Sequence, residues 1–364
     1  MKKILRKKEM PFFELYARFI RDSKSGRRLQ PNGKKLAAGT IVAYVCNLKL
    51  LKKFCNDTGF ELRFRSIKHL TQREMKVEKN YWIRFYKQLT DYCYKNCGFF
   101  DNYVGQNIKI IKVFWGYCNK HLLLNIGDFH QHFYVTKEDI PVITLLPEEL
   151  NFLIYNKAFQ ASLTGKLQQV KDVFVFGCTV ALRFSDLMAL KQTNIRVVEN
   201  KWYLQVRSQK TGTDTQMCLP DYAINVLTKY ATQKKGFLLP RFNDVNLNLY
   251  VKQLIKLAGF AHPQCKTRNK RGVPKEILKH ESDKHISYDF CDLVTTHTMR
   301  RTAITTMLCL GMPEHLVRKI SGHTPMSKSF FRYVALAQSY QDKETAMVFD
   351  KLKGKTFSDP PFFS

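Results

Sequence analysis

Apolar residues in the first third of the chain recur every three to four positions, which is the period of an amphipathic helix. Four such stretches follow one another between about residues 10 and 122. The first begins at Pro11, the second has Thr40 as its expected N-cap, the third ends near Gly98, and the fourth opens at Asp101. Aromatic residues repeat at this helical spacing, so we expect them to form the core rather than to stack on bases. The pattern predicts a small bundle of four helices.

The period is lost after the fourth helix, and residues 123–146 are expected to form a linker. Pro147 is followed by two glutamates, which is typical of a new helix start. The long apolar stretch at 170–180 predicts a buried helix.

Alternating segments follow this buried helix at residues 194–198, 201–208 and 215–219, with short turns between them. They predict a small antiparallel sheet of three strands. Helical patterns resume from Asp221, and the basic segment 261–284, which contains Pro and Gly, is expected to be a surface insertion.

The composition of the chain indicates what kind of partner it binds. The chain has 364 residues, with 60 Lys+Arg against 30 Asp+Glu, a formal net charge of +30. Such an excess indicates a polyanionic partner, nucleic acid before an anionic membrane surface, although a basic protein without that role is the alternative. Hydrophobic residues make up 45% of the chain, so packed cores are expected and intrinsic disorder is not.

The sequence fits poorly with a membrane protein or a secreted protein. The longest apolar run, 173–182, is about half the length of a spanning helix. The basic first 13 residues lack the apolar region of a signal peptide. The ten cysteines show no disulfide framework, and we expect reduced thiols in a cytoplasmic protein.

Two cationic residues mark the first half of the candidate chemistry. Arg183 lies between the buried helix and the next one, which Ser185 is expected to cap. Held there, its guanidinium can grip a phosphate through two hydrogen bonds, or it can form an interdomain ion pair. Lys210 ends a strand beside the Thr211-Gly212 turn, where it is either a solvated surface lysine or a proton donor with a lowered pKa.

The second half lies near the C-terminus. His297 and Arg300 open a helix three residues apart, so both can face one phosphate. His323 follows Gly322, which is expected to end a helix, and Tyr333 comes ten residues after that histidine.

These pieces follow a recognisable order between residues 177 and 333: Leu-Arg-x-Ser-Asp, Lys-Thr-Gly, His-x-x-Arg, Gly-His and a tyrosine. The sequence resembles a tyrosine recombinase of the phage-integrase family, and the helical first domain extends the match to about residues 10–350. Residues 296–302 and 331–333 are most similar to integrases of mobile elements in Bacteroides-like bacteria. The family more often places its tyrosine nine residues after the histidine.

The resemblance implies site-specific DNA recombination through a covalent 3′-phosphotyrosyl intermediate, with integration or excision of a mobile element. On this interpretation Tyr333 is the nucleophile, and Arg183 and Arg300 neutralise the charge that develops on the phosphate oxygens. No metal, nucleotide or other cofactor is required.

The other three residues receive acid–base and hydrogen-bonding roles from the same resemblance. Lys210 would protonate the leaving 5′ oxygen as general acid. His297 would assist proton handling on the tyrosine, and His323 would donate a hydrogen bond to a phosphate oxygen.

The resemblance also implies an architecture and partners. The fold would be an N-terminal all-α bundle (a SAM-like core-binding domain) and a C-terminal α+β, mostly helical catalytic domain with the three-stranded sheet. We expect a DNA-binding domain at 1–125, a linker at 126–146, the catalytic domain at 147–352 and a tail at 353–364. The partners would be double-stranded DNA and three further copies of the chain, as a homotetramer on two duplexes, with a possible accessory DNA-bending protein and no membrane.

Other hypotheses stay open from the sequence. A type IB topoisomerase-like enzyme shares the chemistry, and a non-catalytic DNA-binding module could keep the fold. A zinc site is a weaker candidate, because its possible ligands match no compact finger spacing: His262, Cys265, His280, His285 and Cys291.

Overall fold

Two compact units make up the chain in this computed structural model. The described residues are 9–209, 212–231, 236–281, 284–324, 327 and 330–350, without the side chains of 281, 284, 339, 340, 343, 344, 347, 348 and 350. The first unit contains the chain up to Ile140 and also Thr267–Ile277. The second contains Pro141–Lys266 and the chain from Leu278 onward.

The first unit is the predicted helical bundle. Its helices are α1 Phe12–Ser25, α2 Ala38–Thr58, α3 Gln72–Lys95 and α4 Asp101–Lys120, joined by a short antiparallel ribbon of β1 Glu9–Pro11 and β2 Arg63–Arg65. Aromatic rings at helical spacing fill the core, as the sequence predicts. Phe64 and Trp115 are fully buried, with ring centroids 4.9 Å apart in an edge-on arrangement.

One predicted helix cap in this unit is wrong. Helix α2 begins at Ala38, after Ala37, and makes no side-chain cap, so Thr40 lies within the first turn. Ala37 takes the N-cap position with extended backbone, and the helix begins at Ala38, two residues before Thr40. Gly59, with φ 68°, ends the helix in the left-handed region that glycine enters at little cost.

The core of the first unit continues past α4, into the segment expected to be a linker. Ile126, Phe129 and Phe133 are buried in it. Helix α4 packs closely against this segment, because a Cβ on Gly105 would lie 1.9 Å from the carbonyl oxygen of Thr136.

A β-hairpin from the predicted insertion completes the first unit. Strands β6 Thr267–Lys270 and β7 Val273–Glu276 pair through a turn at Arg271 and Gly272, which have φ of 57° and 77°. The buried carboxylate of Asp101 accepts hydrogen bonds of 2.8 Å from the backbone N–H groups of both turn residues.

Ion pairs strengthen this attachment. Glu138, whose side chain is 2% exposed, accepts a 2.8 Å hydrogen bond from Arg268. Asp91 pairs with Arg271 at the more exposed end of the hairpin. A buried carboxylate needs such partners to remain charged.

The second unit is mostly helical around one small sheet. Its helices are α5 Pro147–Tyr155, α6 Lys157–Ser162, α7 Gly165–Val180, α8 Phe184–Met188, α9 Asp221–Lys229, α10 Asp244–Leu257, α11 Phe290–Leu293, α12 Thr296–Cys309, α13 Glu314–Ser321 and α14 Phe331–Asp350. The predicted sheet is confirmed as β3 Ile195–Val198, β4 Lys201–Arg207 and β5 Asp214–Cys218, antiparallel in that order. A second hairpin pairs β8 Lys279–Glu281 with β9 Lys284–Ile286.

The buried helix predicted at 170–180 is confirmed as α7, which packs on α12 at the centre of this unit. The two helices approach closely at Gly177, where a Cβ would lie 2.5 Å from the sulfur of Met299. Close packing fixes α12, which carries Arg300, against the end of α7, and Arg183 follows that end by three residues, as the N-cap residue of α8. Across the described ranges, no helix has both the length and the hydropathy that crossing a membrane demands.

Candidate catalytic site

Arg300 is held at the centre of the second unit by backbone carbonyls. It is 4% exposed and donates hydrogen bonds of 2.6 Å to the carbonyl oxygens of Ala181 and Ser321. Burial and the neighbouring charge of Arg183 lower the pKa of Arg300 to about 10, although Tyr333 acts in the opposite direction. The guanidinium therefore stays charged at neutral pH, and the two carbonyl oxygens use two of its five N–H donors.

Arg183 is oriented by a second chain of hydrogen bonds. It donates a hydrogen bond of 2.9 Å to the hydroxyl oxygen of Ser208. That hydroxyl in turn donates a hydrogen bond of 3.1 Å to the buried carboxylate of Asp186. The same carboxylate accepts from the backbone N–H of Gln209 at 3.1 Å, so it ties the end of β4 to the start of α8. Both arginines are thus fixed before any ligand arrives.

His323 follows the end of α13 through a left-handed residue. Gly322 has φ 63°, and the backbone N–H of His323 donates to the carbonyl oxygen of Arg318 at 3.0 Å. This turn brings the Nδ1 atom of His323 to 2.8 Å from the hydroxyl oxygen of Ser321 and 3.4 Å from Arg300. Burial, Arg300 and then two further arginines lower the pKa of His323 to about 4, so the ring is neutral at pH 7.

Tyr333 lies in the first turn of α14 and is 7% exposed. Its ring centroid lies 6.1 Å from those of both His323 and Phe330. Phe330 is fully buried, and the guanidinium of Arg318 lies 3.9 Å above its ring. Phe330 therefore anchors the segment before Tyr333, whereas the neighbouring Phe331 is exposed.

His297 is placed less centrally than the other predicted residues. It has an exposed side chain in the first turn of α12, three residues before the buried Arg300. The sixth predicted residue, Lys210, lies outside the described residues.

The structure also brings in residues that the sequence reasoning missed. Ser208 contacts Arg183, and Ser321 contacts both Arg300 and His323, but no spacing marks either serine in the sequence. Asp186 stood within the Leu-Arg-x-Ser-Asp motif without a role of its own. Ser185 was expected to cap α8, and this is wrong, because Arg183 occupies the N-cap position and makes no side-chain cap.

Two of the possible zinc ligands, His280 and His285, are paired across β8 and β9, with ring centroids 5.3 Å apart. His262 stacks on Phe290 at 4.9 Å. Cys291 groups with Asp289 and Asp292, with ligand atoms within 4.8 Å of one another, and Lys279 forms ion pairs with both aspartates.

Charge determines what the central group can bind. Arg183 and Arg300 are close enough for their like charges to interact, and Tyr333 interacts electrostatically with Arg300. Two preorganised guanidiniums favour an anion between them, and a phosphate matches their donors. A phenol beside such a site is in position to act as a nucleophile on the bound group.

Comparison with known proteins shows which family the chain belongs to. A model described as the phage integrase family matches residues 158–339, half of the chain. The chain belongs to this family, the tyrosine recombinases, whose enzymes cleave and rejoin DNA. No curated protein sequence matches the chain.

Solved structures share the fold over nearly the whole chain. A XerH site-specific recombinase bound to a palindromic difH substrate, in a post-cleavage complex, has 13% identity and a TM-score of 0.55, over 92% of this chain and 85% of that one. A Tn1549 transposon integrase in complex with transposon right end DNA has 14% identity and a TM-score of 0.55, over 95% and 100%.

A lambda integrase dimer bound to a COC′ core site has 12% identity and a TM-score of 0.52, over 97% and 100%. These similarities confirm the predicted fold, a helical core-binding domain with a mostly helical catalytic domain.

Proposed function

We propose that this protein is a site-specific DNA recombinase that cuts and rejoins DNA through a covalent 3′-phosphotyrosyl intermediate. The observation that carries the proposal is the grouping of Arg183, Arg300 and His323 with Tyr333. The solved relatives named above are bound to DNA, and the net charge of +30 suits the same partner.

The proposed reaction gives a role to each of these residues and also to His297 and Lys210. Arg183 and Arg300 hold the scissile phosphate and stabilise the charge of the transition state. The Oη of Tyr333 forms a bond to phosphorus and loses its proton, with His297 assisting at the exposed edge. The bond to the 5′ oxygen breaks, its electron pair stays on that oxygen, and Lys210 protonates it. Attack by a 5′ hydroxyl reverses these steps and rejoins the strand.

The wider assignment extends the same proposal. The first unit, expected at 1–125 but continuing to Ile140, acts as a helical DNA-binding domain, and the second unit, expected at 147–352, acts as the catalytic domain. Four copies act on two DNA duplexes, with an accessory DNA-bending protein at some sites. The reaction integrates or excises a mobile element in the cytoplasm of a Bacteroides-like bacterium.

Trapping the covalent adduct tests the central claim. A nicked suicide substrate carrying the recombination site, taken from the repeats flanking the gene, should give a protein–DNA adduct with the wild-type chain. Tyr333→Phe should bind the duplex normally and form no adduct, whereas Tyr340→Phe, seven residues further on, should stay active. Peptide mapping that finds phosphotyrosine on Tyr340 would overturn the assignment of the nucleophile.

Assays of DNA relaxation and of adduct formation separate the alternatives. A type IB topoisomerase-like enzyme would relax supercoiled DNA without pairing two sites, and a non-catalytic module would bind DNA without any adduct.

A chelator tests whether a metal takes part. Cleavage should survive excess EDTA, since guanidinium and ammonium groups supply the positive charge. Complete loss that Mg²⁺ restores would indicate a metal-dependent mechanism instead.

A further inference from the structure

The guanidinium group of Arg318 covers one face of the Phe330 ring. Arg318 lies in the last turn of α13 with 12% of its side chain exposed, and its Cζ atom is 3.9 Å from the centroid of that ring. A cation at this position is attracted by the electrons of the aromatic face, and more strongly where water is excluded. Phe330 is fully buried, so little water competes for this contact.

Phe330 in turn sets the first turn of α14. Its carbonyl oxygen accepts hydrogen bonds from the backbone N–H groups of Tyr333 and Val334, at 2.9 and 3.3 Å. Because these bonds open the helix, a displacement of Phe330 also displaces Tyr333. The two side chains are also neighbours, with ring centroids 6.1 Å apart.

The backbone of Arg318 holds the turn that carries His323. The carbonyl oxygen of Arg318 accepts the 3.0 Å hydrogen bond from the N–H of His323. The ring centroid of His323 lies 5.4 Å from that of Phe330 and 6.1 Å from that of Tyr333. One residue of α13 therefore contacts the histidine turn through its backbone and the segment before the tyrosine through its side chain.

We propose that Arg318 is a positioning residue that fixes Tyr333 relative to His323 by stacking on Phe330. It acts through the ring of Phe330 and not on the phosphate. A nucleophile has to be held close to its line of attack, and a displacement of about 1 Å slows a reaction up to about a hundredfold. This inference rests on the proposed function for its effect on the rate, whereas the placement of the Tyr333 ring is measurable without activity.

Two other roles for the charge of Arg318 lead to different results. It is one of the cations that lower the pKa of His323, and any cation on the protein attracts DNA. An effect through His323 or through DNA binding persists when Phe330 is changed. An effect through the stacked ring disappears when that ring is gone.

A double-mutant cycle on the rate of adduct formation separates these roles. With saturating suicide substrate, Arg318→Ala should form the tyrosyl adduct at least about tenfold more slowly than the wild type. Lys319→Ala is the matched control, because it removes the same charge from an exposed neighbour on α13 and should leave the rate unchanged. Phe330→Leu should also be slow, and adding Arg318→Ala to it should cost little more.

Three kinetic results contradict the proposal. The first is an Arg318→Ala variant as fast as an active wild type. The second is a double variant in which the two effects multiply in full. The third is a loss of DNA affinity in Arg318→Ala that exceeds the loss in Lys319→Ala and accounts for the slower reaction. A wild type that forms no adduct refutes the proposed function instead, and the placement of Tyr333 is then decided by spectroscopy.

Fluorine nuclear magnetic resonance measures this placement without any reaction. The full-length chain is labelled with 3-fluorotyrosine, and Tyr333→Phe identifies the signal of Tyr333. We expect one narrow signal in the wild type and in Lys319→Ala, and a broadened or second signal in Arg318→Ala. A signal in Arg318→Ala that is as narrow and single as in the wild type overturns the proposal, also when Phe330→Leu fails to fold.

Discussion

Arg300 donates a 2.6 Å hydrogen bond to the carbonyl oxygen of Ala181, a non-glycine residue held at φ 55°. That left-handed conformation ends α7 and leads the chain to Arg183 two residues later. The contact therefore connects the backbone that positions one arginine of the site to the side chain of the other. Neither arginine can shift far without disturbing its counterpart.

Replacing Arg183 by lysine tests whether the reaction needs the shape of the guanidinium group or only its positive charge. Arg183→Lys keeps the positive charge but loses the fork that contacts Ser208 and a phosphate together. Adduct formation should fall by about a hundredfold or more, while duplex affinity changes little among 60 Lys and Arg residues. Arg207→Lys is the matched control, because Arg207 is exposed with only a 3.9 Å ion pair to Asp214. Binding that falls in step with cleavage contradicts a chemical role.

The close approach of α7 and α12 should make Gly177 intolerant of a methyl group. Gly177→Ala places a Cβ 2.5 Å from the sulfur of Met299, and we expect a loss of about 1–3 kcal/mol in the free energy of unfolding. Gly165→Ala at the start of the same helix has open space and should be neutral. In urea denaturation, Met299→Ala combined with Gly177→Ala should cost less than the sum of the two single changes. Additive effects would argue against this contact.

Attachment of the hairpin to the first unit should depend on the carboxylate of Asp101. Asp101→Asn removes one of the two acceptors for the N–H groups of Arg271 and Gly272, at a cost of about 1–3 kcal/mol. Hydrogen–deuterium exchange of residues 267–277 should accelerate. Asp91→Asn breaks only the more exposed ion pair with Arg271 and should change exchange far less. Equal effects of the two variants would contradict the central place of Asp101.

Protonation of His323 should destabilise the fold in acid. Its pKa is lowered in the folded state to about 4, against an ordinary value of about 6.5, so the unfolded chain binds the extra proton first. The free energy of unfolding should therefore fall as the pH drops from about 6.5 to 4, by about 1 kcal/mol, which is less than the full shift corresponds to because solvent screens the half-buried ring. His323→Gln should reduce this slope and not abolish it, because burial also lowers the pKa of His130. An unchanged slope in chemical denaturation across this range counts against a neutral, half-buried His323.

DNA binding should weaken steeply with salt, because each phosphate neutralised by the protein releases condensed counterions. A site with about eight phosphate contacts gives a slope of about −7 for log K against log salt concentration. Fluorescence anisotropy with a short duplex measures this slope. A slope near zero would mean that the positive charge of the chain serves another partner.

Sequence alone determined the elements whose causes are local. The period of apolar residues predicted the bundle and the buried helix, alternation predicted the three strands, and Gly322 ended its helix as expected. The order of the motifs was sufficient to indicate the family. Two caps assigned to Thr40 and Ser185 failed, because the backbone there starts its helices earlier without using either side chain.

Only the tertiary structure decided which side chains support the site. Ser208 reaches Arg183 from 25 residues away and Asp186 from 22, and Ser321 reaches Arg300 from 21. The same holds for the hairpin at 267–277, whose turn binds Asp101 some 170 residues earlier in the chain. Such contacts depend on how closely packed elements approach one another, and the repeat of apolar positions along the chain carries information only about neighbours three or four residues apart.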